Sequence, residues 1–297
     1  MRRQRVFIVG IDGACFNVLQ PHLRAGRMPH LSGFLEGGIS AELASVCPPV
    51  SPPAWASFHT GRRPEKHGVW GFQSYDPRRA VLRFNTSRQI WPMTFWRILS
   101  DAGYRVGIVN VPMTFPAPRV NGVVISGFES PSLDADFCYP PELKKRLLDM
   151  FPDYYFGPDD RAAYAAEGIG ELLELSAREF RQRAEVTVSL HEGQSFDVFM
   201  VNFQSLDWVL HQLYPYLAEE WREDLCDAGL LAGTRELMRV LDESLGRVFD
   251  VASRCGYDIC IMVSDHGFGR QRGIIYCLLY TSPSPRDLST SRMPSSA

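Results

Sequence analysis

The sequence predicts an α/β fold: a mostly parallel central sheet with helices on both faces. Three observations carry this. Short apolar runs rich in β-branched residues recur at Val6–Ile11, 105–111, 120–126, 197–202 and 258–263, and unbroken runs of this kind mark strands buried on both faces. Stretches with helical apolar spacing separate them, the βαβ alternation of a parallel sheet. Polar residues follow three of the runs directly, where open α/β sheets gather their ligands.

Taken in order, Val6–Ile11 is a strand that ends in Asp12-Gly13. Residues 14–24 and 29–37 suit helices, the second opened by Pro29 and closed by Gly37-Gly38. Residues 38–45 read as a further strand leading into Val50-Ser51-Pro52-Pro53-Ala54-Trp55. Proline fixes its own φ and pushes its predecessor toward extended backbone, so a helix is expected from Pro53 with Ser51 extended just ahead of it. Residues 62–68 read as a polar loop and 70–90 as a hairpin or irregular excursion. Apolar spacing at Phe95, Trp96, Ile98 and Leu99 predicts a helix stopped by Gly103. Strands at 105–111 and 120–126 follow. Residues 140–193 turn charged and rich in Tyr, Glu and Arg, with a helical tract over 169–191, and read as a cap insertion plus a crossover helix. The sheet resumes at 197–202, helices follow at 207–213 and 228–253, and a last strand at 258–263 ends in Ser264-Asp265-His266-Gly267.

Bulk composition excludes several classes. The chain of 297 residues is 45% hydrophobic and 22% charged, an ordinary globular mixture, and its formal net charge of -3 offers nothing to a nucleic acid. The 7 cysteines are scattered, form no CxxC pair, and suit a reducing compartment. No apolar run approaches the ~20 residues of a membrane span. A cytoplasmic location, a small phosphate-ester substrate and no membrane or nucleic-acid partner are the expectations. Residues 1–276 are expected to form one catalytic domain that is incomplete at its C-terminus. Residues 277–297 are rich in Ser, Pro and Arg and cannot build a core. They resemble vector read-through and are expected to be disordered and foreign to the native chain.

Ser51 has two readings. A serine ahead of a helix is commonly an N-cap; it can also be a nucleophile beside the positive end of the helix dipole, where a phosphate is held. Asp207 and His211 are four apart and share one helical face, as a chelating pair or a surface ion pair does. Asp265-His266 lies at a strand end before Gly267 and Gly269 and suits a ligand pair or a turn. Carboxylates with neutral imidazoles are the donors of zinc or manganese rather than calcium. Two such sets would make a two-metal site ~4 Å across, suited to in-line displacement at phosphorus. The histidines at 22, 30, 59 and 191 stand in no constellation, and His67 reads as a loop or packing residue.

Gly10-Ile11-Asp12-Gly13, Ser51-x-Pro53 with Thr60-Gly61, Pro64-x-x-His67-Gly68, Asp207-x-x-x-His211 and Asp265-His266-Gly267 occur in an order that resembles the alkaline phosphatase superfamily. The nearest branch is the type I phosphodiesterase/nucleotide pyrophosphatase group with its phosphohydrolase and phosphomutase relatives, over about residues 5–275. The resemblance implies an alkaline phosphatase-like sheet and a metal-dependent phosphoric ester hydrolase of phosphodiesterase or pyrophosphatase type. It implies a serine nucleophile, Ser51, that forms a covalent phospho-serine between two divalent ions, zinc or alternatively manganese. Asp12, Ser51, Asp265 and His266 would surround one ion, and Asp207 and His211 the other. The family closes the second set with a further histidine, and none follows His266 here, so that set is incomplete in this chain. The Asn that nucleotide pyrophosphatases carry after the His-Gly turn is also missing from Val69-Trp70-Gly71-Phe72. Three alternatives stand beside this reading: a cofactor-independent phosphomutase; a sulfatase, disfavoured because Trp55 occupies the position of that family's arginine; and an inactive phosphate-ester-binding protein.

Overall fold

The computed structural model describes residues 3–76, 78–157, 168–219 and 227–270; the tail expected at 277–297 lies outside the described residues. The first half of the chain runs β1 (Val6–Ile11), α1 (Phe16–Arg24), α2 (Pro29–Glu36), α3 (Ser51–Thr60), α4 (Pro64–His67), β2 (Gln73–Asp76), β3 (Val81–Phe84), α5 (Ser87–Ile90) and α6 (Phe95–Asp101). The second half runs β4 (Val106–Val111), β5 (Gly122–Ser126), β6 (Cys138–Tyr139), α7 (Pro141–Met150), α8 (Ile169–His191), β7 (Val198–Phe203), α9 (Ser205–Leu217), α10 (Ala228–Arg254) and β8 (Ile259–Val263).

Six strands form one sheet in the order β6-β5-β4-β7-β1-β8, parallel except for the short edge strand β6. The sheet divides its apolar side chains by parity, as successive residues of a strand point to opposite faces. Phe7, Val9, Ile11, Phe199, Val201 and Phe203 join the core under α1, α2, α8, α9 and α10. Ile8, Ile108, Val124 and Met200 meet Trp55 of α3 and Trp96 of α6 on the other face. Helices on both faces explain why the strand sequences are apolar without alternation, and each fully buried Phe, Val or Ile contributes about 1.5–3 kcal/mol.

Close approach at one point depends on glycine. A Cβ on Gly10 would lie 2.4 Å from Asn202 Oδ1 and 2.8 Å from the Trp55 ring. Any larger residue in the middle of β1 would push α3 off the sheet.

Three sequence expectations change. The strand expected at 38–45 is absent; the segment has no strand partner among the described residues, and Ile39 and Leu43 project into solvent. Alternating apolar residues favour a strand only where a neighbour takes up the backbone hydrogen bonds. The polar loop at 62–68 contains a helical turn, α4. Helix α3 begins at Ser51 rather than Pro53, with Val50 as its extended cap residue. Prolines are tolerated throughout the first turn, since those N–H groups have no intrahelical partner, so Pro52 and Pro53 fit inside the helix as well as at its start.

The hairpin expected in 70–90 is present as β2 and β3, with Tyr75 opposite Leu82 and Gln73 opposite Phe84. Tyr75, Leu82 and Phe84 are all solvent-exposed.

Candidate active site

The carboxyl ends of three adjacent parallel strands, β7, β1 and β8, converge on one point. Asp12 follows β1 directly, and its amide donates to Phe203 O of β7 at 2.9 Å. Asp207 sits in the first turn of α9, just after β7, and Asp265 and His266 follow β8. Ser51 reaches the same point from the first position of α3.

Ser51 Oγ is 3.1 Å from Asp12 Oδ1 and 3.2 Å from His266 Nε2. It caps no backbone group of its own helix. Its hydroxyl donates to Asp12 Oδ1, since a carboxylate oxygen only accepts. His266 Nδ1 lies 3.1 Å from Gly267 O; a carbonyl only accepts, so that nitrogen donates to it.

Around this pair the carboxylates are crowded. His266 Nε2 is 3.4 Å from Asp265 Oδ2, 3.6 Å from Asp12 Oδ1 and 3.8 Å from Asp207 Oδ1. Ligand atoms of Asp12, Asp207 and His266 all lie within 4.8 Å of one another. Asp207 turns its other oxygen, Oδ2, to His211 Nε2 at 3.5 Å. The one carboxylate thus faces both groups of candidate ligands. Asp207 Oδ1 and Asp265 Oδ2 are buried with no hydrogen-bond donor.

Crowding without donors is expensive for the charged forms. Burial, and then the negative charges of Asp265 and Asp207, hold the Asp12 carboxyl well above the ordinary range. Burial pushes Asp265 up to about 6. The hydrogen bond to Asp207 raises His211. Orphaned carboxylate oxygens beside imidazole nitrogens are the donor set that a divalent transition metal satisfies, so these residues fit such an ion.

Several contributors were not legible as site residues. Trp55 Nε1 donates to Asp12 Oδ2 at 2.7 Å. The four-residue spacing from Ser51 to Trp55 puts both on one helical face, and that was the available signal. Gly13 has φ +71°, and a Cβ there would stand 3.0 Å from Asp207 Oδ1; its amide donates to Asp265 Oδ1 at 3.2 Å. Ser45 Oγ donates to Asp265 O at 2.6 Å, which ties the irregular 38–50 segment to the site. Glu179 of α8 accepts from the amides of Gln204 and Ser205 at 3.5 and 3.4 Å, at the start of α9. His67 lies apart from the cluster, with Nε2 3.0 Å from Ser57 Oγ.

A cleft of about 560 Å³ opens over Ser51, Asp207, His211 and His266. Its walls include Phe72, Phe128, Trp208 and Phe268.

Residues 6–278 match the family described as type I phosphodiesterase / nucleotide pyrophosphatase. The chain belongs to that family. The match spans all three strand ends and Ser51. The chain's fold is similar to that of phosphonoacetate hydrolase from Sinorhizobium meliloti 1021. In complex with phosphonoformate that enzyme aligns with a TM-score of 0.59 at 19% identity, over 89% of this chain and 56% of that one. In complex with phosphonoacetate the TM-score is 0.59 at 20% identity, with the same coverage. At these identities the likeness is one of fold, and this chain spans little more than half the length of those neighbours. No curated protein matches the sequence. Among the described residues no helix is long and apolar enough to cross a membrane.

Proposed function

We propose that this phosphodiesterase-family protein hydrolyses phosphodiesters with Ser51 as the nucleophile and divalent cations as cofactors. The observation that carries the reading is the position of Ser51 Oγ, 3.1 Å from Asp12 Oδ1 and 3.2 Å from His266 Nε2, on the floor of the cleft. Asp12, Asp265 and His266 would hold one cation and Asp207 with His211 a second, zinc being the best match to their donor set. Bound there, the ions supply charge neutralisation and Lewis acidity.

The chain's own part follows from the geometry. Asp12 Oδ1 accepts the Ser51 hydroxyl hydrogen bond and the proton leaves along it, while His266 keeps Oγ facing the cleft. The oxygen attacks phosphorus; an O–P bond forms, the bond from phosphorus to the departing oxygen breaks, and that oxygen takes up the proton and leaves as the alcohol, with Ser51 phosphorylated. A water oxygen then bonds to phosphorus as the Ser51 O–P bond breaks; one water proton passes to Ser51 Oγ and the phosphomonoester is released. Trp55 keeps Asp12 from rotating away during both steps.

The test is turnover of bis-p-nitrophenyl phosphate against p-nitrophenyl phosphate, with metal content measured on the same preparation. Diester turnover that falls by about 10³-fold or more in Ser51→Ala, with bound metal and fold retained, is the expected result. Turnover that survives the substitution removes Ser51 from the chemistry.

A further inference from the structure

Resting on that reading, we propose that the cleft selects a phosphodiester with one negative charge and a bulky aromatic or apolar ester group. Phe72 and Phe128 meet edge to face with centroids 5.5 Å apart, and Phe128 meets Trp208 in the same way at 6.3 Å. The three rings line the same cleft as Ser51 and touch one another in series. Phe268 adds a fourth ring, 4.8 Å from the His211 imidazole. Phe72 remains 40% exposed, a large apolar ring left to water on the lining of the cleft.

The charge inventory points the same way. Among the described residues the cleft lining contains no lysine or arginine. Its polar groups, Ser51, Gln204, Asp207, His211 and His266, belong to the hydrolytic cluster or adjoin it. A second anionic group on the substrate, such as another phosphate or a carboxylate, would lie against the rings with no cationic side chain among the described lining residues to pair with. An unpaired charge moved out of water costs far more than a ring's contact returns. A phenyl-sized group gains from burial and from edge-to-face packing with the wall.

Binding to Ser51→Ala protein as purified, followed by calorimetry, tests this without turnover. Three probes share the phosphodiester anion: diphenyl phosphate, dimethyl phosphate and bis(4-carboxyphenyl) phosphate. Diphenyl phosphate is expected to bind at least ~10-fold more tightly than either of the others, the return on burying one ring. Adding Phe128→Ala should weaken diphenyl phosphate about 10-fold more than dimethyl phosphate. Phe72→Ala, at a partly exposed position, should narrow the same gap and serves where the Phe128 variant does not fold. Equal binding of the three probes, tightest binding of the carboxylated one, or no binding of any overturns the proposal. Diester hydrolysis by the unaltered protein is scored separately: a preference for diphenyl phosphate without any turnover keeps the aromatic selectivity and removes the hydrolase reading.

Discussion

Trp55 grips Asp12 from the helix that also presents Ser51: the indole nitrogen donates to Oδ2 at 2.7 Å while Ser51 Oγ lies 3.1 Å from Oδ1. One rigid turn of α3 therefore sets both the hydroxyl and the orientation of its carboxylate neighbour. Trp55→Phe keeps the ring and removes the donor. Zinc affinity is expected to fall about 10- to 100-fold, as when a partner behind a ligand is lost. Diester kcat should fall with it, and the loss of one hydrogen bond to a carboxylate should cost about 1.5–3 kcal/mol of stability. Zinc titration of the variant checks this; an unchanged affinity would mean that the indole only packs.

Glu179 and Arg183 form an ion pair at 3.0 Å with both side chains fully buried. Arg183 also reaches Tyr154 Oη, Tyr155 O and Phe156 O, while Glu179 accepts from the Asn110 amide and the start of α9. Glu179→Ala leaves a guanidinium buried without its carboxylate and should cost about 3–5 kcal/mol. The shift in urea midpoint measures it. A loss below 1 kcal/mol would show that water reaches Arg183 in the variant.

His59 lies wholly inside the α3–α6 aromatic cluster, 4.4 Å from the Trp96 ring, and neither ring nitrogen has a partner. Burial lowers its pKa from 6.5 to about 3. The folded state thus binds fewer protons than the unfolded state between those values. Its contribution to stability is complete above pH 6.5 and is lost as the pH falls toward 3, with a slope approaching about 1.4 kcal/mol per pH unit. His59→Phe should flatten that acid limb in melts at pH 4 to 7. An unaltered limb would place the acid sensitivity elsewhere.

Removal of divalent ions should leave Asp12, Asp207 and Asp265 facing one another without a counter-charge. Chelated protein is expected to melt at a lower temperature than protein with added zinc. At zinc concentrations 100 times the dissociation constant the gain is about 2.7 kcal/mol. Asp207→Asn, which removes a charge shared by both groups of ligands, should shrink that gain. A melting temperature indifferent to zinc would speak against a resident ion.

Much of this was legible in the chain because buried parallel strands must be apolar throughout. β1, β4 and β7 therefore stand out in sequence; β8 is as apolar although, at the sheet edge, its Ile259 and Ile261 are exposed, and the polar residues past β1, β7 and β8 mark the site. Asp12, Asp265 and His266 were findable for that reason, and Asp207 with His211 through their helical spacing. The segment 38–45 misled because alternation describes a side-chain pattern, not the neighbour a strand needs. Trp55 showed only through its four-residue spacing from Ser51, and Glu179 was invisible as a site residue because its role exists only where α8 crosses the sheet. Nothing in the local sequence of Glu179 announces that the first amides of α9 lie against it.

Pro52 and Pro53 occupy the second and third positions of α3, and proline has no N–H to give. Of the first three helical residues, only Ser51 keeps an amide. Hydrolases that surround a tetrahedral centre with main-chain amides retain a fallback when another component is taken away. Here that fallback has been largely written out of the backbone, so chelated enzyme should show no slow background rate above that of Ser51→Ala.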